Sequence, residues 1–425
     1  MRKVNLLNRC TRLFLFGIVL LTQLCGLTTF VYDLRRERFY QSNTLRVYSV
    51  LVLLLLMVLI VGNVYFIISR NEEWVSMVGF YVILVVRVQN LLYSGECVKL
   101  LNEMHRMVRQ LQTMARHPNI FRGRHLLLLV LAFHTLIRSL ISAMRRDTRQ
   151  TIISLLIFAV LLAFLLQITI NICLFVVLIA CYHELHLCTR CISNDVRKLR
   201  QAQVLEGVHL SVLVEQLRCI TKELIVLRSQ VFNISRRLIK HFRFHWLCAL
   251  VHGFLPFTFL TAINQQDFYY LLTSVLNIVF YFTIFELLSW ESRLSRSFCH
   301  FHLINYQPSF DRTIDELVHQ EINEHIKISI YGITLDMKFL CRLLSLSIFL
   351  IFVNTQSYWQ RNIKDDSSGN GNSNNIIIIN TIKAARVGER STSPGPAAPL
   401  NCRKILGKKA KERERGEGHR EKGQV

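Results

Sequence analysis

The sequence predicts an all-α membrane protein with seven transmembrane helices, a cytosolic N-terminus and an extracellular C-terminus. One observation behind this fold class is a series of apolar segments of about 20 residues, the length a helix needs to cross a bilayer. The other is the placement of charge: 51 Lys and Arg residues, against 28 Asp and Glu, are concentrated between those segments. The net charge of +23 is therefore attributed mainly to topology, and a nucleic-acid partner is not expected.

The first apolar segment, residues 13–32, differs from the rest because basic residues flank it on both sides. Residues 1–12 and 33–46 each contain four Lys or Arg residues. Since basic flanks favour the cytosol, both ends of the segment are expected on the same side of the membrane. We predict a re-entrant or interfacial helix within a cytosolic N-terminal segment that comprises residues 1–46. A signal peptide is the alternative, but Gln23 and Thr28 interrupt the apolar run.

Seven spans follow, and together they form a predicted membrane domain over residues 47–360. They are expected at 47–68, 74–93, 125–144, 152–182, 245–263, 268–290 and 331–356. The segment 152–182 exceeds one bilayer crossing, so it is expected to tilt or to continue into water. In the last span, Asp336, Lys338 and Arg342 interrupt the cytosolic half. A helix shielded inside an oligomer tolerates such charges better than a helix surrounded by lipid.

Charge also predicts the orientation of the spans. The loops 33–46, 95–124, 183–244 and 293–330 contain 25 Lys and Arg residues, whereas the loops on the opposite side contain 4. The positive-inside rule places the basic loops in the cytosol. Residues 361–425 follow the last span and are biased towards Ser, Asn, Gly and charged residues, which predicts a disordered and atypical tail.

Two short stretches, together with the order of the spans, resemble a known family. The first is Leu100-Leu101-Asn102-Glu103-Met104, just past the second span. The second leads into the last helix and contains Gly332, Thr334, Leu335 and Asp336. On these features residues 1–360 resemble the insect gustatory receptors of the insect chemoreceptor superfamily. The family signature at the end of the last helix is Thr-Tyr, five apolar residues and then Gln-Phe. Only its Gln is kept in register here, as Gln356.

This resemblance implies a ligand-gated, non-selective cation channel subunit that acts as a homotetramer or heterotetramer with related subunits. Its partners would be a small-molecule tastant and membrane lipid, in the plasma membrane of sensory neuron dendrites. In the family the last helix lines the pore. The expected pore and gate residues are Phe349, Phe352, Val353 and Gln356. An apolar ring can gate a pore by dewetting, and an amide beyond it can hydrate a cation.

The resemblance also implies a ligand pocket in the outer half of each subunit. The candidates, chosen by residue type and depth in the predicted spans, are Tyr81, Arg138, Tyr269, Tyr270, Thr273 and Asn277. Aromatic rings with polar tips suit sugars or bitter compounds, and they equally suit an interfacial aromatic belt. Arg138 and Arg87 are charges inside predicted spans. For each of them a functional role and a structural partner are the two alternative interpretations.

Enzyme motifs are missing from the sequence, which contains no P-loop, G-x-S-x-G or H-E-x-x-H pattern. We predict neither an enzymatic activity nor a cofactor. The Cys and His residues between Cys181 and Cys191 are not expected to bind zinc, because ligands so close together on one helix cannot converge. Two alternatives to the channel remain, a secondary transporter and a non-conducting chemoreceptor co-subunit.

Overall fold

The computed structural model of the chain describes residues 13, 15–33, 35–70, 74–115, 120–146, 151–202, 208–259, 265–293 and 308–367. Residues Met1–Tyr358 form one compact unit, and Trp359–Val425 form a second one. The second unit is described only as far as Ser367, where it is helical. The first unit contains the hydrophobic core.

The described residues are mainly helical, with two short antiparallel hairpins. The first part of the chain contains α1 (Leu15–Leu24), β1 (Phe30–Asp33), β2 (Arg38–Gln41), α2 (Asn43–Arg70), α3 (Trp74–Leu92), α4 (Ser94–Ala115) and α5 (Gly123–Arg146). The second part contains α6 (Thr151–Ala202), α7 (Val208–Phe259), α8 (Gln265–Ser292), α9 (Pro308–Asn323), β3 (Ser329–Ile330), β4 (Ile333–Thr334) and α10 (Met337–Ser367). The architecture is thus a helix bundle, in agreement with the all-α prediction.

The N-terminal helix is shorter than the predicted helix over 13–32, because α1 ends at Leu24. Gly26 has a φ of 65°, and its N–H donates to the carbonyl of Gln23 at 2.9 Å. The N–H of Leu27 donates to the carbonyl of Thr22 at 2.8 Å. These two bonds with a left-handed glycine form a Schellman motif, which terminates the helix. The rest of the predicted helix becomes β1, which pairs with β2 from Phe30↔Gln41 to Asp33↔Arg38.

The last predicted span, 331–356, also has different bounds in the structure. Its first residues belong to the hairpin β3–β4, in which Ile330 pairs with Ile333. Helix α10 begins only at Met337 and continues past the predicted end to Ser367. Residues 361–367 of the predicted disordered tail are therefore helical, while residues 368–425 lie outside the described residues.

Two long helices replace most of the predicted loop 183–244. Helices α6 and α7 have 52 residues each, so each is about 78 Å long. Hydrocarbon is about 30 Å thick, so each helix is more than twice as long as one bilayer crossing requires. The segment 152–182 thus continues as helix, as expected. Residues 245–259 of the predicted span 245–263 form the C-terminal end of α7, and residues 260–263 lie outside the described residues.

Helix α6 lies at the centre of the bundle, packed against α5, α7 and α8. Within its apolar segment Leu161–Lys198, the most apolar stretch of 18 residues is 89% buried by protein, which explains why that stretch is apolar on every face. Phe175 of α6 packs against Trp246 of α7 and Phe285 of α8, with ring centroids 5.4 and 6.0 Å away. This aromatic cluster fixes the face that α8 turns towards the core.

Three helices among the described residues contain a segment long and apolar enough to cross a membrane: Gly123–Ile141, Leu161–Lys198 and Leu271–Ser292. Shorter apolar helical segments are Leu15–Leu24, Asn43–Val58 and Ile83–Leu92. Length and composition make these segments candidates only, so all seven spans stay predictions. The last helix is outside both groups, which agrees with the charges noted in its predicted cytosolic half.

Candidate ligand pocket and pore-lining helix

Helix α8 carries a row of polar side chains on its core-facing side. Thr273, Asn277 and Tyr281 follow one another at four-residue spacing, so they share one face of the helix. Thr273 and Tyr281 are buried, whereas Leu272 and Leu276 on another face are exposed. A polar row facing the protein interior, with apolar residues facing outward, is typical of a helix that lines a site within a membrane domain.

Arg138 of α5 connects to this row through a side-chain amide. Its Nη2 donates to Asn277 Oδ1 at 2.7 Å, and Asn277 Nδ2 donates to Ser139 Oγ at 2.7 Å. Among the described residues, no carboxylate pairs with Arg138, and its buried Nε has no hydrogen-bond partner. The guanidinium is always charged, so this site has a permanent positive charge with donor capacity to spare.

A small cavity of about 30 Å³ lies beside this network, between α5, α6, α7 and α8. Its lining includes Ser139, Phe164, His252, Gly253, Thr273, Asn277 and Tyr281. A Cβ added to Gly253 would lie 3.0 Å from Ile278, so glycine permits the close approach of α7 to α8. A volume of this size holds about two water molecules, and a tastant would need the helices to separate.

The structure brings together three of the six predicted pocket residues, Arg138, Thr273 and Asn277. Tyr269 is 49% exposed on α8 and lies apart from the cavity lining. The side chains of Tyr81 and Tyr270 lie outside the described residues. The sequence analysis missed Ser139, His252, Gly253 and Tyr281. The four-residue spacing from Thr273 would have revealed Tyr281, whereas no local pattern indicates His252.

Arg87 illustrates the structural alternative for a charge inside a predicted span. It is 7% exposed, and its Nη2 donates to the carbonyl of Cys25 at 3.1 Å. That carbonyl lies just after the end of α1, where helix carbonyls lack an intrahelical partner. A cation at a helix C-terminus is favourable, so Arg87 stabilises the end of α1.

The four predicted pore residues lie on the uncovered side of α10. Phe349 and Phe352 are each 59% exposed, and Val353 and Gln356 are exposed as well. The opposite side of α10 packs on the core through Leu340, Leu343, Leu344, Ser347 and Ile351. A large apolar stripe that the chain itself does not cover marks a surface for lipid or for another subunit.

The second family stretch forms the hairpin β3–β4 and the cap of α10, rather than the beginning of a helix. Tyr331 and Gly332 have φ values of 48° and 87°, the left-handed pair that a tight two-residue turn requires. Leu335 is buried, and its N–H donates to Ile328 O at 2.9 Å. Asp336 Oδ1 accepts the N–H of Phe339 at 2.7 Å and so caps the helix. Thr334 pairs with Ser329 across the hairpin.

The first family stretch holds the N-terminal hairpin against α4. Asn102 Oδ1 accepts the N–H of Phe39, and Asn102 Nδ2 donates to Phe39 O, both at 2.8 Å. The amide thus imitates a neighbouring strand for β2. Leu100, Leu101 and Met104 are buried, and Glu103 forms an ion pair with Arg237 of α7.

The Cys and His run lies on the uninterrupted helix α6 and takes part in a polar junction. His186 Nε2 lies 2.7 Å from Glu291 O, and His183 Nδ1 lies 3.6 Å from Glu291 Oε2. Arg124 Nη2 of α5 lies 2.9 Å from Glu291 Oε1. In the part of the chain that the structure describes, no three His, Cys, Asp or Glu side chains are grouped to hold a metal. The junction instead ties α5 and α6 to α8.

Residues 15–357 match the family described as 7tm Chemosensory receptor. The chain belongs to this chemosensory receptor family. The protein Gustatory receptor-like 65a of Drosophila melanogaster is 56% identical over 368 residues, which are 84% of this chain and 99% of that relative. The predicted membership of the gustatory receptors is therefore confirmed. The family is one of receptors rather than enzymes, and it places the chain in a membrane.

Solved structures resemble the chain in fold alone. The insect olfactory receptor OR5 from Machilis hrabei matches with a TM-score of 0.52 at 12% identity, covering 81% of this chain and 98% of that chain. The same receptor in complex with eugenol gives a TM-score of 0.46 at 12% identity, with the same coverage. The helical fold of this chain is thus of the insect chemoreceptor type.

Proposed function

We propose that this receptor is a subunit of a ligand-gated, non-selective cation channel that responds to a tastant. The observation that carries the proposal is the uncovered stripe of α10, on which Phe349, Phe352 and Gln356 follow one another. In a tetramer, four copies of α10 would cover this stripe around a common axis. The phenylalanines would form an apolar gate, and the Gln356 amides would hydrate a passing cation. Related subunits can supply some of the copies.

The channel would have seven spans with the N-terminus in the cytosol and the C-terminus outside the cell. The 25 Lys and Arg residues of the long loops support this orientation, because these residues resist transfer across the membrane. It places α4, α9 and the adjoining ends of α6 and α7 in the cytosol. The cavity beside Asn277 then lies in the outer half of the membrane, and the subunit resides in the plasma membrane of sensory cells.

The ligand pocket would form around Arg138 and Asn277. A tastant with a hydrogen-bond acceptor would satisfy the free Nε of Arg138, and Thr273 and Tyr281 would orient its other polar groups. Because the cavity is small, binding requires α5 and α8 to separate. A ligand that binds the separated state more tightly shifts the population of receptors towards that state.

A direct contact can transmit this separation to the pore. Tyr281 lines the cavity, and the next residue, Phe282, packs against Phe339 of α10 with ring centroids 6.3 Å apart. Movement of α8 at the cavity would therefore displace the beginning of α10. Two packed aromatic rings have few alternative arrangements, so a small shift at one ring moves the other.

Current recording from cells that express the receptor tests this proposal. With a panel of tastants, we expect ligand-evoked cation currents. Phe352→Ala should add a ligand-independent current, because it removes the apolar gate, and Gln356→Ala should change the ion selectivity. Leu276→Ala is the control: this apolar residue is likewise exposed, but it lies on α8 rather than on α10. Unchanged currents in both pore variants would reject the pore assignment.

Two alternatives predict different outcomes in the same cells. A non-conducting co-subunit would reach the surface without evoking current, and would alter the current of a second receptor when both are expressed. A secondary transporter would accumulate labelled substrate without a channel-sized current. Phe282→Ala separates ligand binding from gating, because it should weaken the current while tastant binding persists.

A further inference from the structure

We propose that the bundle contains a second ligand site, which takes a neutral small molecule with one ring or a short chain and one hydroxyl or carbonyl group. The site is a cavity of about 170 Å³, bounded by α1, the hairpin β1–β2, α4, α6 and α7. It shares no lining residue with the cavity beside Asn277. By the proposed orientation it lies towards the cytosolic side. This proposal does not depend on whether the receptor conducts ions.

The lining of this inner cavity is apolar and without fixed charge. It consists mainly of aliphatic and aromatic side chains, among them Ile18, Phe30, Phe39, Leu101, Met104 and Leu174. Among the described residues that line it, none is Asp, Glu, Lys or Arg. Burial lowers the pKa of His241, so its imidazole is neutral at physiological pH. A charged ligand would lose its hydration without gaining a counter-ion, which selects neutral molecules.

A buried hydroxyl group of the lining is left for a ligand. Thr29 is 2% exposed, and its Oγ1 has no hydrogen-bond partner among the described residues. Its neighbour Thr28 is different, because its hydroxyl lies 3.3 Å from that of Thr22. Buried hydroxyl groups are almost always paired, so the unpaired Thr29 hydroxyl indicates a missing partner. A threonine hydroxyl both donates and accepts, and therefore an alcohol, a phenol or a carbonyl group fits it.

The asparagine, glutamine and serine side chains around the cavity already have hydrogen-bond partners, and the ring of His241 packs against those of Tyr93 and Phe242. Asn90 Nδ2 donates to Gln167 Oε1 at 2.8 Å, and Asn90 Oδ1 lies 2.8 Å from His245 Nε2. Ser94 Oγ donates to Leu91 O at 3.0 Å and accepts from Gln41 Nε2 at 2.8 Å. A ligand therefore gains a directed hydrogen bond to the buried Thr29 hydroxyl, while most of its remaining surface contacts apolar groups.

The cavity volume limits the size of the ligand. An apolar protein cavity of about 150 Å³ binds benzene, so this cavity accommodates a single ring with a small substituent. A molecule with two acyl chains exceeds it. Gln167 lines this cavity and the adjacent Ile168 lines the cavity beside Asn277, so α6 forms a wall of both. A ligand in the inner site would be positioned to alter the packing of the same helix that the tastant pocket uses.

Photolabelling of the purified full-length receptor in detergent tests the site. The probe is a diazirine-tagged octanol, and benzyl alcohol is the competitor. We expect saturable labelling of peptides from α1, α4 and the hairpin β1–β2, which excess benzyl alcohol abolishes. Thr29→Val, which removes only the hydroxyl, should weaken probe affinity about tenfold. Thr283→Val is the matched control, because that hydroxyl bonds within its own helix and lines neither cavity.

A second variant fills the cavity. Leu101→Trp should eliminate labelling of the lining peptides, provided that size-exclusion chromatography gives the profile of the parent protein. If Leu101→Trp does not fold, the probe affinities of the Thr29→Val and Thr283→Val variants, measured by titration, test the proposal instead. Labelling that does not saturate, or equal affinity in these two variants, would overturn the proposal. Native mass spectrometry could instead recover a bound phospholipid that must be removed before the probe labels the receptor. That result would assign the cavity to a lipid chain and would also overturn the proposal.

Discussion

Asp336 is a charged residue within a predicted membrane span, yet its role concerns the backbone. It caps α10 by accepting the N–H of Phe339, in a turn that the hairpin β3–β4 presents to the helix. The first N–H groups of any helix lack an intrahelical acceptor, and a side-chain carboxylate supplies one. The resemblance to family sequences at this position therefore has a physical basis in capping.

Removal of this cap should destabilise the receptor. We expect Asp336→Ala to lower the free energy of unfolding by about 1 kcal/mol, because the Phe339 N–H loses its acceptor. Asp336→Asn is the matched control, since asparagine is an equally good cap. Thermal unfolding of the purified receptor in detergent measures the difference. Equal losses in the two variants would indicate that the negative charge, rather than the hydrogen bond, is what matters.

The Arg138–Asn277 pair makes a second prediction for single residues. Asn277→Ala leaves the guanidinium without its acceptor, which should lower the free energy of unfolding by about 1–3 kcal/mol. Arg138→Met removes the charge but retains the length of the side chain. The double variant should be more stable than the sum of the single losses predicts, because it leaves no unpaired charge. A double-mutant cycle measures this coupling, and strict additivity would argue against the contact.

Among the elements, the hairpin β1–β2 depends on a side chain that is distant in sequence. It is short and pairs only with itself, so its outer edge requires a partner. Asn102 supplies that partner from α4, and the side chain of Phe30 in β1 is buried in the hydrophobic core. The hairpin also forms part of the wall of the inner cavity. Its stability is therefore relevant to the proposed second site.

Hydrogen exchange should reveal this dependence. Asn102→Ala removes both bonds to Phe39, so the Phe39 amide should exchange faster by at least tenfold. Asn102→Asp keeps the acceptor for the Phe39 N–H but loses the donor to its carbonyl, and we expect an intermediate rate. Amides in the middle of α6 serve as an internal reference. If the two variants exchange at the same rate, the acceptor of Asn102 does not protect this amide.

For the whole molecule, glycosylation can determine the orientation in the membrane. The natural sequon Asn233-Ile-Ser235 lies on α7 in the predicted cytosolic region, and Ser235 is buried. We expect no glycan there. Asn374→Thr would create a new sequon at Asn372 in the predicted extracellular tail, and we expect one glycan at that position. Mobility on gels before and after glycosidase treatment measures both.

These results would contradict the orientation if they were reversed. A glycan on the unmodified receptor would place α7 outside the cell. Absence of a glycan from the Asn374→Thr variant, with surface expression confirmed, would place the tail inside. Antibody access to epitopes at each end of intact cells is an independent measurement that does not depend on the glycosylation machinery.

The sequence predicted the helical bundle well, because apolar length and charge placement are local properties of the chain. It was less accurate at the ends of elements. Helix α1 ends earlier than predicted, just before Gly26, and α10 begins later than predicted, after the turn at Tyr331 and Gly332. All three residues adopt left-handed backbone conformations. A hydropathy pattern does not register such turns, because it measures only the polarity of the side chains.

The sequence by itself determined the class of protein, its family and the segments suited to a membrane, since these follow from composition, periodicity and short motifs. Only the tertiary structure decided which side chains meet. Arg138 and Asn277 are separated by 139 positions, and Asn102 and Phe39 by 63. Such contacts depend on how whole helices pack, which no local pattern encodes. The inner cavity with its unpaired Thr29 hydroxyl likewise exists only because α1, α4, α6 and α7 pack around it.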